Sequence, residues 1–72
     1  MNFTIKQARE YAGVSQVDMA EKLGMTETTY IQYEKYRRVF RMDTAFRFSE
    51  ATGIPIEQLI FFEGQLQNFC SS

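Results

Sequence analysis

The chain contains no histidine, and its single cysteine, Cys70, has no second thiol to pair with. Imidazole acid-base catalysis, thiol-rich metal sites and an intrachain disulfide are removed together. No glycine-rich loop of the kind that cradles phosphate occurs, and the carboxylates are spread along the chain. Neither catalysis nor a cofactor, metal or small-molecule ligand is expected. What the side chains can do is bind a polyanion. The net charge is only −1, but it is segregated. Positions 35 to 47 carry Lys35, Arg37, Arg38, Arg41 and Arg47 against Asp43, a local +4, while the rest of the chain holds three basic and eight acidic side chains, a local −5. A basic segment of this density suits contacts with nucleic-acid phosphates; the alternative is a solvated loop that complements the negative end of a preceding helix.

The elements that must present this segment follow from apolar spacing and caps. Seventy-two residues with 44% apolar and 15% aromatic content specify one small core. A domain this short buries only about 60% of its unfolded surface, so size alone favours added burial in a homodimer. No window approaches the ~20 apolar residues of a membrane span and no leader pattern opens the chain, so a soluble cytoplasmic protein is expected. Ile5, Ala8, Arg9 and Ala12 fill one helical face and predict a helix over about 4–12. Ser15 is a good N-cap, with Asp18 three residues on, for a helix over 16–23 whose apolar members are Met19, Ala20 and Leu23. Gly24 ends it, and Thr26 caps a third helix over 27–35 with Tyr30 and Tyr33 as its buried edge. Met42, Ala45, Phe46 and Ser49 predict a fourth helix over 43–52, closed by Gly53. Pro55 presets a short fifth helix with Ile56, Leu59 and Ile60. The glycines at 13, 24, 53 and 64 each follow an apolar stretch where a helix can end in a left-handed residue. No alternating run predicts a sheet. Tyr30, Tyr33, Phe46 and Phe48 are expected in the core.

The expected fold is therefore all-α, a compact bundle of five short helices, in which the second and third form a helix-turn-helix unit around a glycine-containing turn. The run SQVDMAEKLGMTETTYIQYEKYRR followed by MDTAFRFSEATGIPIEQLI resembles the Cro and repressor type of helix-turn-helix, a family of phage repressors and small bacterial regulators. The resemblance covers roughly residues 4–60 and needs no gap from Ser15 to Ile60. It divides the chain into a DNA-binding domain, 1–62, and a tail, 63–72.

That resemblance implies that Gln16 reaches a backbone phosphate and braces the recognition helix, while Thr26 caps that helix close to the DNA. Glu27 and Thr28 would face base edges, and Gln32 one turn later would reach a base or a phosphate. Glu can accept from cytosine N4, Gln can pair with adenine, and a Thr methyl can touch thymine. An acid in a first turn also stabilises the helix dipole, so Glu27 has a role without DNA. Lys35, Arg37 and Arg38 would approach the sugar-phosphate backbone, setting position and affinity but not sequence. Arg9 and Glu34 match the family's salt bridge between helix one and the end of helix three. The chain departs from the family at Tyr36, where glycine is usual, at Phe40, where proline is frequent, at Ile31, usually small and polar, and in the acidity of Glu27.

The expected function is a dimeric transcriptional regulator that binds a two-fold symmetric operator in double-stranded DNA, with no membrane partner. A protein-binding module on the same fold, such as an antitoxin, antirepressor or host-factor inhibitor, is the second reading. Phe61, Phe62, Leu66 and Phe69 lie beyond the last family helix and either cover the domain's own core or form a dimer interface.

Overall fold

Among the described residues, three of the four α-helices begin on a hydroxyl side chain that accepts from a backbone N–H one turn ahead. In the computed structural model, which describes residues 2–61, Thr4 caps α1 (Ile5–Ala12), Ser15 caps α2 (Gln16–Lys22) and Thr26 caps α3 (Glu27–Glu34). The accepted bonds come from Gln7, Asp18 and Thr29 at 3.1, 3.1 and 3.3 Å. Each satisfies a donor that the helix itself leaves without a partner. The Gln7 side chain returns a bond from the Thr4 N–H, completing a capping box. α4 (Met42–Thr52) starts at Arg41 without a side-chain cap.

The first three helices also end alike. After α1, Val14 N–H donates to Arg9 O at 3.3 Å; after α2, Met25 N–H donates to Ala20 O at 2.9 Å; after α3, Arg37 N–H donates to Gln32 O at 2.9 Å. The residue inside each loop must be left-handed for that bond to close. Gly13 and Gly24 take the position at no steric cost, with φ of 72° and 71°, whereas the third is Tyr36 at φ 60°. Gly53 ends α4 in the same conformation, so the glycines expected at 13, 24 and 53 all end helices; Gly64 lies outside the described residues.

The expected fifth helix is instead a single 3-10 turn, Ile56–Gln58, after which the chain straightens. Leu59–Ile60 (β2) pairs in parallel with Phe3–Thr4 (β1), Phe3 opposite Leu59 and Thr4 opposite Ile60. The expectation of no sheet is corrected to this extent: a two-residue ladder is too short to leave an alternating pattern.

One core fills the space between the helices: Ile5 and Ala8 from α1, Met19, Ala20 and Leu23 from the second helix region, Tyr30, Phe40, Phe48, Ile54 and Leu59. The buried face of α4 is Phe48 and Thr52, with Ala45, Ser49 and Ala51 half-buried. Phe46 is therefore not a core residue but 54% exposed, as is Met42 at 76%. Phe46 and Phe48 stand about 200° apart around a helix and cannot share its inner face. Phe48 takes it together with Thr52, one turn on, whose buried hydroxyl donates to Phe48 O at 3.0 Å.

Candidate nucleic-acid interface

α2 packs more extensively against α3 than any other pair of helices does, and the turn between them is set by Gly24 and Thr26. The Thr26 hydroxyl accepts from the Thr29 N–H and donates to Thr29 Oγ1 at 3.0 Å. Its own side chain thus fixes the first turn of α3. Thr26, Glu27 and Thr28 are exposed there, while Tyr30 on the opposite flank is fully buried. Gln32 lies one turn further and is half-buried, as is Ile31. Lys35 closes α3, and Lys35, Arg37 and Arg38 are all exposed.

A polar cluster sits behind this face. Arg9 Nε donates to Glu34 Oε2, and the guanidinium also donates through Nη1 to Val14 O at 2.9 Å. Gln16 Nε2 donates to the other carboxylate oxygen, Glu34 Oε1, at 3.0 Å. One carboxylate so ties α1, α2 and α3 together, and Arg9 adds the α1–α2 connection through Val14. The Arg9 and Glu34 side chains are 12% and 5% exposed, a buried pair. Burial alone would raise the Glu34 carboxyl, but its bonds to Arg9 and Gln16, the nearby Tyr30 phenol and the Arg9 charge hold it below the usual carboxylate range. Burial likewise opposes the charge on Arg9, and Glu34 outweighs it, raising the guanidinium further. The Tyr30 phenol is pushed up, first by burial and then by Glu34. Among the described residues its hydroxyl finds no hydrogen-bond partner of normal geometry, so it acts on the carboxylate as a nearby dipole.

The basic segment is held by aromatic side chains. The Arg38 guanidinium lies over the Tyr33 ring, 5.7 Å from its centre, an arrangement that leaves in-plane N–H groups able to donate. Tyr33 packs on Phe40 at 4.4 Å, and Phe40 on Phe48 at 5.5 Å. Phe40, at the family's frequent proline, is thus a buried anchor for the loop. Tyr36, at the usual glycine, accepts a hydrogen bond from Ile5 N–H at 3.3 Å and donates to Ile60 O at 2.7 Å. A left-handed non-glycine residue costs about 1–2 kcal/mol, and two hydrogen bonds worth about 1 kcal/mol each offset it. Arg41 and Asp43 approach to 3.9 Å but are well exposed, so their pairing adds little.

The structure brings Gln16, Arg9 and Glu34 into one cluster, and places Thr26, Glu27 and Thr28 together at the start of α3. The bond from Gln16 to Glu34 has no local sequence signal, since 18 residues separate the two. The hydrogen bonds of Tyr36 were missed for the same reason; the anchoring role of Phe40 was missed although Tyr33 and Phe48 lie within eight positions, because no regular periodicity spans the loop between the helices. Phe61 is half-buried against Phe40, its ring 6.0 Å away. With Val39, Met42, Phe46 and Ile56 it lines an apolar groove of about 300 Å³. Phe62, Leu66 and Phe69 lie outside the described residues. No helix among the described residues is long and apolar enough to cross a membrane. No group of three or more His, Cys, Asp or Glu side chains there could hold a metal ion.

No curated protein and no solved structure gives a significant match to the chain. The helix-turn-helix family model matches residues 5–59. That span runs from the first residue of α1 through the first residue of β2 and takes in every element that builds the face described above. The chain belongs to the Cro/repressor-type helix-turn-helix family of DNA-binding proteins.

Proposed function

We propose that the protein is a sequence-specific regulator of transcription that lays α3 in the major groove of double-stranded DNA. The observation that carries this is the first turn of α3. Thr26, Glu27 and Thr28 are exposed on a helix end that its cap and the buried Tyr30 hold in place. In this reading Glu27, Thr28 and Gln32 meet base edges. Gln16, Thr26, Lys35, Arg37 and Arg38 meet the phosphates and set the register. The protein acts as a homodimer on a two-fold symmetric operator with half-sites about 34 Å apart. Phe61 and the tail from residue 63, including Leu66 and Phe69, with Phe62 before it, supply the dimer contact.

The test is selection of bound duplexes from random oligonucleotides, followed by affinity at two salt concentrations. Recovery of an inverted repeat is expected. Three phosphate contacts from Lys35, Arg37 and Arg38 give a log-log salt slope of about −2.7 per protomer. Replacing Arg37 and Arg38 together with Ala should reduce it by about 1.8.

One observation favours a second reading, a protein-binding module: Val39, Met42 and Phe46 are exposed apolar side chains at 57%, 76% and 54%. Failure to enrich any duplex, with weak affinity that salt does not change, would favour that module.

A further inference from the structure

Glu34 is placed to do more than pair with Arg9. A carboxylate accepts hydrogen bonds and cannot donate them, so the Gln16 amide must turn its nitrogen toward Glu34 Oε1, 3.0 Å away. That fixes which way round the amide sits. The nitrogen carries a second N–H, diverging from the first by about 120°. This second N–H has no acceptor among the described residues, and Gln16 is half-buried at the first position of α2. Glu34 is itself held in place because Arg9 occupies its other oxygen and is anchored in turn on Val14 O. Arg9 also neutralises the carboxylate, so this acidic group can lie behind a phosphate-binding face without repelling it.

We propose that Glu34 is a positioning residue for the DNA backbone contact: by taking one N–H of the Gln16 amide it fixes that side chain and aims the second N–H outward at a phosphate oxygen. The proposal rests on the DNA-binding reading above. Its physical content is preorganisation. A free glutamine side chain loses its rotamer freedom when it binds, whereas one already held by Glu34 has lost it on folding.

The test uses the full chain and the duplex recovered by the selection. Dissociation constants and phosphate-ethylation interference are measured for Gln16→Ala, Glu34→Gln and the double variant, at a temperature where all are folded. Glutamine at position 34 leaves one acceptor oxygen for two donors, so Arg9 and Gln16 compete for it. Each single variant should weaken binding about tenfold, the size of one hydrogen bond to a charged group. The double variant should be no weaker than about tenfold, and interference at the same phosphate should disappear in all three. Independent effects that multiply to about a hundredfold overturn the proposal. So does a Glu34→Gln protein that melts earlier but keeps its affinity and interference pattern, which is the outcome of a purely structural role.

Should Glu34→Gln fail to fold, the two Gln16 side-chain amide protons of the unmutated chain report directly by NMR. The proton bonded to Glu34 should hold its shift when the duplex is added while the other moves; movement of both, or of neither, overturns the proposal. An unmutated chain without salt-dependent affinity for any duplex removes the DNA-binding reading and this proposal with it. Tight DNA binding that Gln16→Ala leaves intact removes this proposal alone.

Discussion

The two flanks of α3 are held by different physics. Toward α1 and α2 the grip is polar: one carboxylate, Glu34, takes bonds from Arg9 and Gln16. Toward α4 it is aromatic, running from Tyr33 through Phe40 to Phe48. The polar side is directional and charged, so it can orient the Gln16 side chain and it responds to acid. The aromatic side has no preferred protonation state; it supplies buried area and carries the loop that bears Arg37 and Arg38. Orientation of the Gln16 side chain and placement of the basic loop are thereby assigned to separate groups of residues.

The contrast is broken most severely at Phe48, which is fully buried. Phe48→Ala should cost about 3–5 kcal/mol in denaturant unfolding, and the loss should be the same at pH 4 and pH 7. Glu34→Ala comes next, at about 3 kcal/mol, because it leaves the Arg9 guanidinium buried without its partner. Here the loss should depend on pH. The folded carboxyl titrates below its unfolded value of about 4.3. Its contribution is therefore complete above that value and disappears as pH falls through the lower, folded one. Unfolding midpoints of the wild type and Glu34→Ala should converge in acid; a constant gap would contradict the polar grip. Tyr36→Phe removes two hydrogen bonds while keeping the left-handed backbone, and should cost about 1–2 kcal/mol. Tyr36→Gly relieves the backbone but also removes a ring packed against the core, a larger loss than the about 1–2 kcal/mol of strain relieved, so it should melt below Tyr36→Phe. Phe46→Ser, on the outer face of α4, should change stability by less than about 0.5 kcal/mol.

The two flanks also differ in how far they can be read from sequence. Helix starts at Ser15 and Thr26 and helix ends at Gly13, Gly24 and Gly53 depend on residues within one turn of each other, and they were legible. So was the pairing of Arg9 with Glu34, through the family resemblance. α4 was legible as a helix but not in its orientation. Met42 and Phe46 looked like part of its inner stripe, yet Thr52 is buried there and Ser49 half-buried. Their hydroxyls are satisfied locally, Thr52 on Phe48 O and Ser49 on Ile54 O at 2.7 Å, so polar residue types sit where a pattern of apolar ones was sought. The Gln16–Glu34 bond and the hydroxyl of Tyr36 reach across 18 to 31 positions. Such contacts are products of the assembled fold, and no window along the chain contains them.

The short ladder between Phe3–Thr4 and Leu59–Ile60 has a kinetic consequence. It joins segments more than 50 positions apart, and Tyr36 extends it by bridging Ile5 and Ile60. Closing so long a loop is slow compared with winding the helices between its ends. Assembly should therefore begin with α2 and α3 and finish when the two strands meet. In native-state hydrogen exchange, the amides of this seam that bond across it should open together, ahead of the α2–α3 core, as one small cooperative unit.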